Sequence, residues 1–235
     1  MKIELWSDYA CPYCYIGEVR LKKAMEETDN KDEIEIIMRS FELDPNASHE
    51  VTSTTLERFA KKYGLSKEVA KQRIDAITDT AIEEGIDFRY ISTRYTNTFN
   101  AHRLTKFAES KGEKGISEKL FKAYFTDNME LSNLEVLKEV AEQVGLDSDE
   151  VSKMLETDLF AKEVREDERE AARHGIYGVP YFLINGKYAI SGAQPTALIR
   201  KALEELLEKE KVELHETMDS MVCGPDGCHI GGEKV

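Results

Sequence analysis

The amino-acid sequence predicts an α/β fold in which a small β-sheet is interrupted by a large all-helical insertion. Segments with strand character occur near both ends of the chain, and the residues between them show helical periodicity punctuated by capping residues. We expect a discontinuous domain formed by residues 1–51 and 175–212, a helical insertion domain over residues 52–174, and a C-terminal tail over residues 213–235. Of the 235 residues, 41% are hydrophobic, which is enough for a sizeable core.

The N-terminal segment predicts a strand, a helix and a second strand. Residues 2–6 alternate apolar and polar side chains, the pattern of a half-buried strand. Apolar residues then recur at helical spacing from Cys14, and Pro12 suits the first turn of a helix because its missing N–H would have no partner there. Residues 33–43 predict the second strand. In one sheet, this order implies a right-handed parallel crossover.

The middle of the chain predicts a series of short helices, with residues 86–93 ambiguous between extended chain and loop. The candidate caps and stops are Ser53 or Thr54, Gly64, Ser66, Gly85, Asn97 or Thr98, Gly112, Ser132, Gly145, Ser148 and Gly175. Strand character returns at residues 181–184 and 188–191, which flank Asn185-Gly186, a strong β-hairpin signal. We predict a final helix from Pro195 to about Lys211 and a tail beyond it.

Composition excludes several classes of function. The 32 Lys and Arg residues against 46 Asp and Glu give a net charge of −14, so nucleic acids and anionic membranes would repel the chain. No apolar run approaches the roughly 20 residues that span a bilayer, and the N-terminus has no apolar signal-peptide core. We therefore expect a cytoplasmic protein that binds neither nucleic acid nor membrane.

The four cysteines form two pairs, Cys11 with Cys14 and Cys223 with Cys228. So few cysteines do not suit a disulfide-stapled secreted domain, and their pairing indicates redox chemistry or a metal. A zinc site of four thiolates usually lies on short knuckle loops, whereas the first pair lies where a strand meets a helix. At the second pair, the adjacent His229 could act with the two cysteines as a partial metal site. We predict that no metal is bound.

Cys11 and Cys14 have the positions that thiol–disulfide exchange requires. Unpaired N–H groups and the helix dipole stabilise a thiolate at a helix N-terminus, where Cys11 lies. Cys14 follows on the same side of the first turn, within reach of disulfide geometry. We predict Cys11 as the nucleophile and Cys14 as the resolving thiol; the alternative is a pair of inert, buried cysteines.

The order strand, helix, strand, helical insertion, hairpin, helix is that of a thioredoxin-like fold with a helical insertion. Cys11-Pro12-Tyr13-Cys14 after the first strand and Gly178-Val179-Pro180 before the hairpin resemble the DsbA family, and within it the FrnE-like branch. The stretches SDYACPYCYIG, GVPYFLINGKYAISGAQ and NTFNAHRL are similar to signature regions of that branch. The resemblance covers most of the chain and implies a thiol–disulfide oxidoreductase that acts as oxidase, reductase or isomerase of protein disulfides.

The resemblance also implies substrate-binding residues beside the two cysteines. Members of this fold hold the proline equivalent to Pro180 in the cis form, which exposes the backbone of Val179 for pairing with an extended substrate. The alternative is a proline that only begins an edge strand. We also expect Pro12 and Tyr13 to bind substrate, with the Pro-Tyr dipeptide tuning the redox potential and Tyr13 shaping the aromatic surface near the disulfide.

Four further residues have both a functional and a structural interpretation. Asp8 either accepts a proton in the resolving step or caps the turn before Cys11. From the helical signature, we expect Asn97, His102 and Arg103 to line a groove facing Cys11. His102 would be a proton shuttle or a thiolate partner, although a lone helical histidine is more often structural.

The second cysteine pair flanks Gly-Pro-Asp-Gly, a strong turn sequence, so Cys223 and Cys228 can form a local disulfide. Some FrnE-like proteins resemble this chain in carrying such a pair. About 11 residues separate the predicted last helix from Cys223, a tether of up to roughly 35 Å when extended. We predict an auxiliary redox pair that exchanges electrons with the first; a static clip is the alternative.

Two other functions share the predicted architecture. Kappa-class glutathione transferases and hydroxychromene-carboxylate isomerases resemble it in topology but typically have serine at the position of Cys11. The second alternative function is that of a non-catalytic, chaperone-like binding protein. The resemblance implies no cofactor beyond the redox-active disulfide, with glutathione as a candidate ligand, and protein or small-molecule disulfides and dithiols as partners. It leaves open the direction of electron flow and whether the protein is a monomer or a homodimer.

Overall fold

The computed structural model describes residues 1–28, 31–219, 221–224 and 227–230. The sheet elements and first helices are β1 (Lys2–Ser7), α1 (Pro12–Glu26), a 3₁₀ turn (Lys31–Glu33) and β2 (Glu35–Ser40). The helical region holds α2 (Thr55–Tyr63), α3 (Lys67–Glu83), a 3₁₀ turn (Tyr90–Ser92), α4 (Phe99–Ser110), α5 (Ile116–Phe125), α6 (Leu134–Glu142), α7 (Ser148–Leu155) and α8 (Ala161–Arg173). The last elements are β3 (Tyr181–Ile184), β4 (Tyr188–Ser191), α9 (Thr196–Asp219), β5 (Met221–Gly224) and β6 (Gly227–Ile230).

The main sheet has the strand order β2-β1-β3-β4. Strands β1 and β2 are parallel, and the crossover between them is helix α1. Strand β3 pairs antiparallel with both β1 and β4. All the helices from α2 to α8 lie between β2 and β3 in the chain. The predicted α/β class, a thioredoxin-like fold with a helical insertion, is therefore confirmed.

Strand β1 is buried on both faces, although the sequence predicts a half-buried strand. Ile3 and Leu5 pack against α1 and α9, as expected for its apolar face. Trp6, on the other face, is fully buried against Ala171 and Ile176, and its Nε1 donates a hydrogen bond to the carbonyl of Asp167 at 3.0 Å. The prediction was wrong because helix α8 covers the face that the alternation assigns to solvent.

A group of ion pairs attaches helix α8 to the sheet and to α4. The buried carboxylate of Asp167 lies 2.8 Å from Nη1 of Arg39 on β2 and 2.7 Å from Nζ of Lys106 on α4. It also accepts a hydrogen bond from the backbone N–H of Ser40 at 2.9 Å. The carboxylate of Asp167 thus links α8, β2 and α4, which come from distant parts of the chain.

Local signals gave good element positions, with two differences. Asn185 and Gly186 both have positive φ, 51° and 67°, as the predicted two-residue hairpin requires. Strand β2 is shorter than residues 33–43, because a 3₁₀ turn precedes it. Helix α9 continues to Asp219 rather than ending near Lys211. Its added residues include the good helix formers Glu, Leu and Met, but only Val212, Leu214 and Met218 of residues 212–219 are apolar, too few for periodicity to set the end of the helix. Within the ranges described, no helix has the length and apolarity that crossing a membrane requires.

Candidate active site

Cys11 is the N-cap of α1, directly after the turn that follows β1. Its backbone N–H donates to the carbonyl of Asp8 at 3.0 Å, and the N–H of Cys14 donates to the carbonyl of Cys11 at 3.1 Å. Pro12 occupies the first turn, where no N–H partner is lost. Both cysteines are unbonded, and Cys11 is 5% exposed while Cys14 is fully buried. The junction therefore leaves Cys11 slightly accessible and places Cys14, three residues further along, out of contact with solvent.

The loop before β3 lies against Cys11. The Cys11 thiol donates a weak hydrogen bond to the carbonyl of Val179, with a sulfur-to-oxygen distance of 3.6 Å. The Val179-Pro180 peptide bond is cis, as the sequence predicts. The carbonyl of Pro180 accepts a hydrogen bond from the N–H of Gly192 at 2.8 Å, which anchors the loop to the end of β4.

Cys14 is held as a neutral thiol. Burial raises its pKa well above the usual thiol value, and the neighbouring Cys11 sulfur raises it further. The opposing influence is weaker: the N–H of Asp8 donates to the Cys14 sulfur at 3.5 Å. Cys14 must therefore lose a proton before it can act as a nucleophile.

The side chain of Asp8 is buried behind the two cysteines and accepts several hydrogen bonds. Its Oδ1 accepts from the N–H of Ala10 at 3.1 Å and the hydroxyl of Thr98 at 3.0 Å, and its Oδ2 accepts from the N–H of Leu43 at 2.7 Å. His102 Nε2 lies 3.8 Å from Oδ1, in ion-pair range but beyond hydrogen-bond distance. Burial alone would raise the pKa of Asp8, but His102 and the two amides lower it below its usual value.

A cavity of about 530 Å³ opens beside Cys11. One wall consists of residues 10–13 together with Gly178 and Val179, so it contains Pro12 and the half-exposed Tyr13. The opposite wall is formed by helices α2 and α3. It carries three cationic side chains, Arg58, Lys62 and Arg73.

The residues predicted from the helical signature do not line this cavity. Asn97 is buried, and its amide faces Oε1 of Glu42 at 3.4 Å. His102 is also buried and packs on Tyr9, with ring centroids 4.9 Å apart. A direct contact of Asn97 or His102 with substrate stays a prediction, and the geometry gives it no support.

Arg103, predicted with them, has a structural environment. Its guanidinium donates to the carbonyls of Leu159 at 2.9 Å and Met154 at 2.7 Å, which holds the end of α7 to α4. The helical signature predicts that α4 faces the groove, whereas α2 and α3 form its wall. The signal that points to α2 is the pair Arg58 and Lys62, four residues apart and hence on one helix face.

The second cysteine pair lies in the hairpin formed by β5 and β6. Cys223 is the Cα partner of Cys228 in this antiparallel pair, and Gly224 pairs with Gly227 next to the turn. Directly opposed residues have Cα atoms about 4.5–5.5 Å apart, within the range for a disulfide. Because α9 ends at Asp219, only residues 220–222 link it to Cys223, a reach of roughly 10 Å in place of the longer tether expected from the sequence.

Comparisons with solved structures support the same fold. A probable DsbA oxidoreductase from Streptomyces coelicolor is 36% identical with a TM-score of 0.84, and the match covers 99% of this chain and 100% of that one. A 2-hydroxychromene-2-carboxylate isomerase is 16% identical with a TM-score of 0.65, covering 90% and 98%. The cytosolic disulfide reductase DsbM from Pseudomonas aeruginosa, solved with GSH, is 16% identical with a TM-score of 0.60, covering 88% and 100%. At 16% identity, the last two show the fold alone.

The family itself is shown by a second kind of comparison. The family model described as a DSBA-like thioredoxin domain matches residues 2–204, which include both cysteines of the first pair, the whole helical region and the Val179-Pro180 loop. This match agrees with the strand order and with the position of Cys11 described above. The chain belongs to the DsbA-like thioredoxin-domain family.

Proposed function

We propose that this protein is a thiol–disulfide oxidoreductase in which Cys11 attacks and Cys14 resolves. One observation carries the proposal. The Cys11 sulfur lies at a helix N-terminus, on the wall of an open cavity and 3.6 Å from the carbonyl of Val179, and Cys14 is buried one turn behind it. This arrangement exposes one sulfur to substrate and reserves the other for the second step.

The exchange proceeds in two balanced steps. The Cys11 thiolate attacks a substrate disulfide, a bond forms between the two sulfurs, and the substrate's S–S bond breaks to release a thiolate. Cys14 then loses its proton and attacks the Cys11 sulfur, which releases the second substrate thiolate and leaves a Cys11–Cys14 disulfide. Two electrons pass from protein to substrate, and the reverse sequence oxidises a substrate dithiol.

Three neighbouring residues support the separate steps. Val179, at the cavity wall, offers its main chain to an extended substrate, and Tyr13 supplies an apolar surface beside the reacting sulfur. The lowered pKa of Asp8 keeps its carboxylate ionised at neutral pH, and its backbone N–H donates to the Cys14 sulfur, which favours the thiolate of the resolving step. The carboxylate is bonded to the turn before Cys11 through the N–H of Ala10, and we propose it, from this position, as the proton acceptor of that step.

The partners and location follow from the site and its likeness to other proteins. Protein or low-molecular-weight disulfides and dithiols are the proposed substrates. Glutathione is a candidate, since the Pseudomonas aeruginosa neighbour was solved with GSH, and the cytoplasm is the proposed location, since that neighbour is described as cytosolic. We also propose that Cys223 and Cys228, opposed in the C-terminal hairpin, form a second disulfide that exchanges with the first.

Reduction of insulin disulfides tests the proposal. With a thiol reductant, the protein accelerates insulin precipitation, and Cys11→Ser abolishes the acceleration. Cys14→Ser serves as the second arm and slows turnover by stalling at the mixed disulfide. A wild-type protein that leaves the uncatalysed rate unchanged would contradict the oxidoreductase function and favour the transferase, isomerase or binding alternatives.

A further inference from the structure

The cavity beside Cys11 is positively charged in a strongly acidic protein. It carries Arg58, Lys62 and Arg73, and none of its lining residues is acidic, although the chain has a net charge of −14. Two other cavities of the described chain show the opposite character. The one beside β2 has six acidic residues against Lys22 and Lys114, and the one beside α5 has five against Lys22, Arg89 and Lys122, so acidic residues outnumber cations in both. The charge of this wall is thus opposite in sign to the net charge of the protein.

Arg58 has hydrogen-bond donors that the protein does not use. Its guanidinium packs on the ring of Tyr95, with Cζ 4.0 Å from the centroid. Its Nε and Nη2 atoms are buried, and neither donates a hydrogen bond to any described residue. Buried donors without an acceptor are rare because each costs the free energy of its lost hydration. Arg58 is one of the residues that line the cavity, so an acceptor entering it supplies the missing partner once the guanidinium turns toward it.

The three cations also lack internal counter-charges. Over the described ranges, no carboxylate oxygen lies within 4.0 Å of the charged nitrogens of Arg58, Lys62 or Arg73. Elsewhere on the described surface such pairs are common, as between Lys71 and Asp75 at 2.6 Å on the same helix as Arg73. The positive charges of the wall therefore have no carboxylate partner among the described residues and can pair with an anionic ligand.

We propose that this wall binds a carboxylate of the substrate, so that Cys11 reacts preferentially with low-molecular-weight disulfides and thiols that carry negative charge. The inference rests on the oxidoreductase function proposed above and specifies its substrate class. A guanidinium binds a carboxylate through two parallel hydrogen bonds, which orients the substrate, and the exposed Lys62 and Arg73 add charge at the entrance. A volume of about 530 Å³ suits a small molecule.

The carboxylate takes no part in the bonds that change. The Cys11 thiolate forms a bond to one substrate sulfur, and the electron pair of the broken S–S bond leaves on a carboxylate-bearing thiolate. Cys14 gives up its proton, attacks the Cys11 sulfur and releases the second such thiolate. In turnover, a low-molecular-weight dithiol reduces the resulting Cys11–Cys14 disulfide. The basic wall acts by binding and orienting the substrate in both half-reactions.

Three disulfides with the same two-methylene spacer and different charge test the proposal. These are 3,3′-dithiodipropionate, 2-hydroxyethyl disulfide and cystamine, which carry carboxylate, hydroxyl and ammonium groups at the same distance from sulfur. Each reacts with pre-reduced protein in a single turnover, and each rate is divided by the rate of the same disulfide with dithiothreitol to remove intrinsic reactivity. Insulin is the fourth substrate and shows whether a protein disulfide reacts at Cys11 as fast as the dicarboxylate does.

The informative variant is Lys62→Gln with Arg73→Gln, since both side chains are exposed and Arg58, which packs on Tyr95, is left intact. Lys61→Gln with Lys71→Gln is the matched control, because it also removes one exposed cation from α2 and one from α3, at positions that do not line the cavity. Both variants are compared with wild type at low and high salt, since screening weakens exposed charge interactions.

We expect the normalised rate of the dicarboxylate to exceed that of the neutral disulfide by about tenfold and cystamine to be slowest. The preference falls with salt, falls severalfold in Lys62→Gln with Arg73→Gln, and persists in Lys61→Gln with Lys71→Gln. Equal normalised rates in wild type, or a preference that Lys62→Gln with Arg73→Gln keeps, would overturn the anion site while leaving the oxidoreductase function intact. Failure of all the disulfides to react at Cys11 would instead overturn the oxidoreductase function.

Discussion

Gly17 of helix α1 approaches Pro180 so closely that a Cβ atom at position 17 would lie 2.9 Å from Cγ of the proline. It would also lie 3.3 Å from Cζ of Phe182. Helix α1 begins just after Cys11, and Pro180 follows Val179, whose carbonyl contacts the Cys11 sulfur. The absence of a side chain at position 17 therefore allows the two halves of the active site to meet.

Replacing Gly17 with alanine should push the Pro180 loop away from α1. We expect Gly17→Ala to lower the free energy of unfolding by about 1–3 kcal/mol, the usual cost of inserting a methyl group into a packed core. Urea unfolding measures this loss. Gly178→Ala is the control, since nothing lies within 4 Å of its Cβ position, and it should change stability by less than about 0.5 kcal/mol. Equal unfolding midpoints for the two variants would show that the loop accommodates the methyl group.

Asp167 is expected to contribute to stability more than any neighbouring charge on α8. Asp167→Ala leaves Arg39 and Lys106 without the buried carboxylate that both contact, so it should cost about 2–4 kcal/mol in unfolding free energy. The control is Glu166→Ala, which removes an exposed carboxylate one residue away and should cost less than about 0.5 kcal/mol. Thermal or urea unfolding compares them, and a similar small loss in both would refute a linking role for Asp167.

The resolving step should accelerate as pH rises through neutrality. Because the pKa of Cys14 is raised well above its usual value, the thiol stays protonated at neutral pH, and the reactive thiolate increases about tenfold per pH unit. The release of thiol from a preformed Cys11 mixed disulfide, followed by stopped flow at several pH values, gives this rate.

Asp8→Asn should slow that release near pH 7 and lose its effect at high pH, where hydroxide removes the proton directly. Asp44→Asn, which removes an exposed carboxylate from a nearby loop, is the control. If Asp8→Asn resolves the mixed disulfide as fast as wild type across the pH range, Asp8 acts only through its hydrogen bonds to the turn.

The C-terminal pair gives a further prediction. If Cys223 and Cys228 exchange with the first pair, the double variant Cys223→Ser, Cys228→Ser should lower insulin turnover severalfold and remove a second disulfide from the oxidised protein. Mass spectrometry of alkylated thiols counts the disulfides in each variant. Unchanged turnover together with an intact first disulfide would make the C-terminal pair a static clip.

Features that depend on neighbouring residues were predictable from the sequence, and features that depend on distant ones were not. Thr54 and Glu57 form the reciprocal hydrogen bonds of a capping box at the start of α2, and Asn185-Gly186 makes the hairpin turn. The positions of Cys11 and Pro180 follow from motifs of a few residues. Each of these depends on short-range geometry.

The parts that sequence reasoning missed depend on how the helices are arranged. The burial of Trp6 requires α8 to cover the sheet, which alternation within β1 does not reveal. The basic wall of the cavity requires α2 to face Cys11, whereas the helical signature directed attention to His102 on α4. A motif identified the reactive sulfur, but only the packed structure shows which side chains surround it.

The most direct test of the account is to trap the mixed disulfide and locate it. Cys14→Ser protein, incubated with 2-hydroxyethyl disulfide and analysed by peptide mass spectrometry without reduction, should carry the adduct on Cys11, and wild-type protein should convert to a Cys11–Cys14 disulfide. Cys11→Ser should remain unmodified at the buried Cys14. An adduct that forms on Cys14 as readily as on Cys11, or an unreactive Cys11, would contradict the assignment of nucleophile and resolving thiol.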